Sequence, residues 1–170
     1  PVAAVDGSLR YERLWAHELS HHWWGNLVTC SSAEDMWMNE GGASYSENLF
    51  TEYLYGKDAY IDAVKSNHAN VLFNAHLADE GYRPISPMPQ THTYGYHVYN
   101  KGSSAFHALR TYMGDDKFFN SIRSFLEAKA FSPQSSYDLR DYLSSHSGVN
   151  LDDFFDKWIF SPGFTHIELD

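Results

Sequence analysis

The stretch HELSHHWWGN, residues 17–26, constrains this chain more than any other feature because its histidines have helical spacing. A helix turns about 100° per residue, so His17 and His21 lie one turn apart and about 40° apart around its axis. Two imidazoles in this arrangement can reach one metal ion from the same side. Glu18 projects beside that ion without pointing at it, where a carboxylate can take a proton from metal-bound water.

The pattern H-E-x-x-H is a signature of zinc peptidases, whose catalytic zinc needs a third protein ligand and an open position. Metzincins place a glycine and then a histidine downstream, at positions that hold Trp24 and Leu27 here, which excludes that class. The other route to a third ligand is a glutamate from a following helix. The segment MWMNEGGASYSENL, residues 36–49, offers Glu40, with eighteen residues between it and His21.

The stretch HELSHHWWGNLVTCSSAEDMWMNEGGASYSENL resembles the gluzincin aminopeptidases of the aminopeptidase N family, in which HELAHQWFGN and WLNEGFASY are typical. The resemblance covers essentially the whole chain and implies a zinc metallopeptidase. It implies one Zn²⁺ per chain, held by His17, His21 and Glu40, with Glu18 as the base. The sequence YNKG resembles the family's Tyr-x-Lys-Gly element, which makes Tyr99 the expected donor to the transition-state oxyanion.

Further predictions concern individual residues near these motifs. Glu47 shares the helical face of Glu40, and we hypothesise that it accepts a hydrogen bond from a ligand histidine. Trp23 and Trp24 are expected in the core, and Tyr94 is expected to be packed. Gly42 stands where the family commonly has Phe, which predicts a specificity pocket of different shape.

The predicted fold is mainly α, with six or seven helices and little or no sheet, and the resemblance implies the helical subdomain of a thermolysin-like catalytic domain. Apolar spacing together with glycine and proline breaks predicts helices at about residues 8–24, 37–55, 58–78, 98–112, 115–130, 135–145 and 150–160. Residues 79–97 contain three prolines and are expected to form an ordered irregular loop, a kind of segment that is often functional.

We expect residues 1–170 to form a single domain, the C-terminal helical part of a catalytic domain that lacks its N-terminal β-rich lobe. The family's Gly-x-Met-Glu-Asn element, which recognises a substrate's free amino terminus, does not occur in this sequence. Removal of N-terminal residues from peptides is therefore expected of a larger parent protein, and the isolated chain should be weakly active or inactive. Apolar surface left by the missing lobe predicts possible self-association.

Composition limits the classes of partner that this chain is expected to bind. The net charge of −10 argues against a nucleic-acid partner, and no run approaches the ~18 apolar residues of a membrane helix. Cys30 is the only cysteine, so no internal disulfide forms. The compartment stays open, although an exported parent, periplasmic or extracellular, is compatible with these features. Two alternatives to peptide hydrolysis also stay open: epoxide hydrolysis at the same site, and a non-catalytic binding scaffold with a vestigial zinc site.

Overall fold

The computed structural model describes residues 8–163, and within that range seven helices surround one apolar core. Helix α3 (Lys57–Asn70) continues through a π-helical turn (Val71–Ala75) into a short last turn (His76–Ala78). A second π-helical turn (His97–Lys101) leads into α4. The remaining helices are α1 (Glu12–Ser20), α2 (Trp37–Tyr55), α4 (Gly102–Met113), α5 (Asp115–Ala128), α6 (Ser136–Ser147) and α7 (Asp152–Trp158). The predicted fold class is confirmed.

Two short strands, β1 (Val28–Cys30) and β2 (Ser132–Gln134), form a parallel pair in which Val28 lies opposite Ser132. Parallel strands require a long crossover connection, and here α2 to α5 supply it. The pair ties the segment after α1 to the segment before α6. The serine and aspartate of a capping box, Ser135 and Asp138, then begin α6.

The first helix ends earlier than its sequence predicts, at Ser20 rather than at Trp24. Residues 21–27 form turns, in which the amide of Asn26 donates to the carbonyl of His21 at 2.9 Å. Leaving the helix lets Trp24 enter the core, where it is 7% exposed. Trp23 is 48% exposed, so the prediction that it lies in the core is wrong.

Helix α2 is central and packs against α1, α3 and α4. Its Trp37 is buried, and the indole Nε1–H donates to the hydroxyl of Ser136 at 2.8 Å. On the side of α2 that faces α4, a β-carbon on Gly41 would lie 2.9 Å from Cα of Gly102 and 2.9 Å from the carbonyl oxygen of Val98. This backbone contact brings the start of α2, which carries Glu40, against the π-helical turn that precedes α4.

Candidate metal centre

Side chains from α1 and α2 converge on one point at the surface of the helical bundle. Nε2 of His17 lies 3.2 Å from Oε2 of Glu40, and Nε2 of His21 lies 3.4 Å from the same oxygen. The three residues offer one ligand atom each, all within 4.8 Å of one another. The predicted ligand residues are therefore brought together, with His17 buried and the other two partly accessible.

The outer nitrogen of each imidazole is held by an acceptor. Nδ1–H of His17 donates to Oε1 of Glu47 at 2.8 Å, which is the contact hypothesised from the sequence. Nδ1–H of His21 donates to the main-chain oxygen of Trp24 at 2.9 Å, a contact made possible by the early end of α1. With both Nδ1 atoms acting as donors, the neutral form of each imidazole has its lone pair on Nε2, directed at the shared point.

Electrostatics at this point are dominated by the carboxylates. Burial opposes the charged imidazolium of His17, but hydrogen bonds to Glu40 and Glu47 raise its pKa to about 9. Burial alone would raise the pKa of Glu40, yet the hydrogen bond from His17 and the charge of His21 bring that pKa below its usual value. Glu40 is therefore an anion at neutral pH, as a ligand for a cation must be.

The donor set fits zinc. Ligand atoms about 2.0–2.1 Å from a tetrahedral zinc ion lie about 3.3–3.4 Å from one another. The two separations from Oε2 of Glu40, 3.2 Å to Nε2 of His17 and 3.4 Å to Nε2 of His21, are close to that spacing. Two imidazole nitrogens and one carboxylate oxygen are also the ligand types of catalytic zinc sites that keep a position open.

The two predicted catalytic residues come from different elements, α1 and the π-helical turn that precedes α4. Glu18 is exposed on α1. Tyr99 is half-buried in the π-helical turn, its ring stacked on that of His17 with centroids 6.0 Å apart, and the carboxylate of Glu40 is close enough to influence its phenol. Burial raises the pKa of Tyr99, and the negative charge of Glu40 adds to that effect. The phenol is therefore a protonated donor at neutral pH.

Sequence reasoning missed one polar neighbour and misjudged another. Arg13 lies one turn before His17, and its guanidinium donates to Oδ1 of Asn48 at 3.1 Å and stands 3.6 Å from Oε2 of Glu47. The four-residue spacing from His17 is a signal that could have identified it. Tyr94 is 69% exposed, so the prediction that it is packed is wrong.

The comparison with known families decides the classification. The model of the Peptidase family M1 domain matches residues 2–158. The chain belongs to peptidase family M1. Similar M1 proteins include aminopeptidase N from Oryctolagus cuniculus, 29% identical across 96% of this chain. Another is the probable aminopeptidase 1 of Saccharolobus solfataricus, 25% identical across 95% of this chain.

Solved structures agree with that assignment. The M1 zinc metallopeptidase from Deinococcus radiodurans superposes with a TM-score of 0.81 at 25% identity, covering 92% of this chain and 34% of that chain. Leukotriene A4 hydrolase from Saccharomyces cerevisiae, at 20% identity and a TM-score of 0.76, shares the fold. The chain spans about a fifth of the two curated relatives, 18% and 21% of their lengths. None of the described helices is long and apolar enough to cross a membrane.

Proposed function

We propose that this chain carries the zinc centre of a peptide hydrolase, with His17, His21 and Glu40 as the protein ligands of one Zn²⁺ per chain. The observation that supports this most directly is the convergence of both Nε2 atoms on Oε2 of Glu40 while each Nδ1 is held by an acceptor. Bound zinc lowers the pKa of water and polarises a carbonyl.

In this proposal Glu18 transfers a proton from the attacking water to the leaving amine. Its exposed position on α1, one residue after His17, leaves the carboxylate free to face a substrate that enters from solvent. Peptide hydrolysis needs a base for the attacking water and then an acid for the leaving amine. One carboxylate can serve both steps in succession, because the proton it accepts is the proton it returns.

Tyr99 supplies the donor for the carbonyl oxygen as that oxygen gains charge. The ring is stacked on that of His17, one of the proposed ligands, with centroids 6.0 Å apart. Because burial and nearby carboxylates keep the phenol protonated, it can donate a hydrogen bond throughout the reaction. A donor already in place where charge develops stabilises the transition state more than the ground state.

We also propose that the whole protein removes N-terminal residues from peptides and that these residues form the helical half of its catalytic domain. The relatives named aminopeptidase N support the activity, and a Deinococcus radiodurans M1 structure with bound Tyr-Ser-Ala supports a peptide substrate. On the face of α1 that points away from the ligand histidines, Trp15 is 38% exposed and Leu19 is 57% exposed. Such exposed apolar surface supports a covering lobe as partner.

The test is to measure zinc content and aminoacyl-anilide hydrolysis in the protein at its natural length. Glu18→Gln should retain about one zinc per chain and lose hydrolysis by at least about 10²-fold. Glu40→Ala should lose the zinc itself. Glu12→Gln is the matched control, since it makes the same change on α1 at a residue that bonds Tyr55 and lies outside the site.

The outcomes separate the competing functions. Unchanged hydrolysis in Glu18→Gln would contradict its role as the base. Zinc binding without any hydrolysis would favour a scaffold, and turnover of an epoxide in place of the anilide would favour epoxide hydrolysis at the same centre. Full zinc in Glu40→Ala would show that the third ligand lies elsewhere.

A further inference from the structure

A buried acid–histidine pair lies outside the metal centre, at the start of the turn that carries Tyr99. Nδ1 of His97 donates to Oδ2 of Asp79 at 2.7 Å. His97 is 1% exposed and Asp79 is 3% exposed. Neither residue takes part in the chemistry proposed above. Burying a charged carboxylate is costly unless it is fully hydrogen-bonded, so the pair calls for an explanation.

The carboxylate of Asp79 caps the helical segment that contains Tyr99. It accepts the backbone N–H of Tyr96 at 3.2 Å and that of His97 at 2.8 Å. These amides belong to the first helical residues, whose N–H groups have no partner within the helix. An acid held there also interacts favourably with the helix dipole. A β-carbon on Gly95 would collide with this carboxylate, so glycine is required for the close approach.

The histidine ties the cap to a second segment. Nε2 of His97 accepts the backbone N–H of Arg83 at 3.2 Å, so this nitrogen carries no proton and the ring is neutral. Burial likewise lowers the pKa of His97. The side chain of Arg83 then donates from Nε to the main-chain oxygen of Asp79 at 2.5 Å. The two ring nitrogens of His97 therefore link residues 79–83 to the π-helical turn that carries Tyr99.

Tyr99 is therefore located from two directions. Its backbone N–H donates to the carbonyl oxygen of Gly95 at 3.1 Å, directly above the Asp79 cap. On the far side, the contact between Gly41 and Gly102 sets the distance of the turn from α2. A loss of either constraint would let the turn shift along its axis and move the phenol relative to Glu40. Displacements of about 1 Å can cost about 10²-fold in rate.

We propose that Asp79 and His97 are positioning residues that set where the Tyr99 hydroxyl enters the metal centre. The inference rests on the proposed function for its effect on catalysis, but the placement of the phenol can be measured without activity. The proposed function and the positioning role of Asp79 and His97 are therefore tested separately.

The primary experiment places 3-fluorotyrosine at position 99 of the full-length protein and records its ¹⁹F resonance. Asp79→Asn should shift or broaden that resonance, since one amide cannot replace an acceptor of three N–H donors. His97→Gln is a second variant, which removes the ring while keeping an amide near Asp79. Asp35→Asn is the matched control: Asp35 is also buried and accepts from the amide of Ser136, but at the start of α6. An unchanged resonance in both variants, or an equal change in the control, would overturn the proposal.

The kinetic experiment asks whether Asp79 acts through Tyr99. Asp79→Asn should lower kcat by about 10- to 100-fold with KM and zinc content little changed. In a Tyr99→Phe background the same substitution should lower kcat by less than about threefold, because the group it positions is gone. An equal loss in both backgrounds would indicate a general structural role. If the unmodified protein hydrolyses no peptide analogue, the proposed function fails, and the ¹⁹F measurement still decides the positioning.

Discussion

Trp24 lies directly against Gly42, so closely that a β-carbon at residue 42 would stand 2.7 Å from Cδ2 of the indole. The indole also packs on Phe106, with ring centroids 5.2 Å apart. In the family patterns HELAHQWFGN and WLNEGFASY both positions are Phe, whereas this chain pairs a larger residue with the smallest one. Because Gly42 is buried beneath Trp24, its departure from the pattern compensates volume in the core. The expectation that it reshapes a specificity pocket finds no support here.

The first prediction follows from that contact. Gly42→Ala should lower the free energy of unfolding by about 1–3 kcal/mol, because overpacking against the indole outweighs the gain in helix propensity of about 1 kcal/mol. Denaturant unfolding measures the change. The double variant Trp24→Phe with Gly42→Phe should be more stable than the sum of its two single variants predicts. Additive effects would contradict the compensation.

The zinc ligands could be predicted because their geometry is local. A four-residue spacing on one helix fixes the relation of His17 to His21, and the family pattern supplied Glu40. The partner of His17, Glu47, followed from the same helical periodicity seven residues later. The residue roles remain predictions, but the structure brings these side chains to one point.

What the sequence did not reveal depends on contacts between distant segments. Asp79 and His97 lie at the two ends of an irregular loop, and no periodicity relates them. The strands β1 and β2 have three residues each and are about a hundred positions apart, so neither has a recognisable pattern alone. The end of α1 at Ser20 is decided by burial of Trp24, a tertiary effect that outweighs local helix propensity.

Glu47→Gln should weaken zinc binding by about 10- to 100-fold without removing a ligand, since an acceptor on Nδ1 orients His17 and raises its basicity. Competition with a chromophoric chelator measures the affinity. Arg13→Gln is a useful comparison, because it removes the positive charge 3.6 Å from Glu47 but leaves the hydrogen bond to His17. Arg13→Gln should weaken zinc binding much less than Glu47→Gln does. Unchanged affinity in Glu47→Gln would contradict the orienting role.

Tyr99→Phe should lower kcat by about 10²- to 10³-fold and leave KM and zinc content nearly unchanged, because the lost hydrogen bond forms mainly in the transition state. Burial and the charge of Glu40 raise the pKa of Tyr99, so the unmodified protein should not lose activity through ionisation of this phenol near pH 10. Steady-state kinetics across pH provides the measurement. Tyr94→Phe is the control, because that side chain is 69% exposed. A similar loss in both variants would contradict a specific role for Tyr99.

Removal of the metal should make zinc rebinding strongly dependent on pH. Without zinc, burial opposes a charge on His17, but Glu40 and Glu47 outweigh it and raise its pKa to about 9. Zinc binds a neutral imidazole, so below that pH binding must expel a proton, and the apparent affinity should rise with pH by about tenfold per unit until His17 is neutral. Zinc titrations of the chelator-treated protein between neutral pH and about 9 test this. In Glu47→Gln the loss of one carboxylate lowers the pKa of His17, so the dependence should flatten at a lower pH. An affinity that stays constant across that range in the unmodified chain would show that His17 is already neutral when the metal arrives.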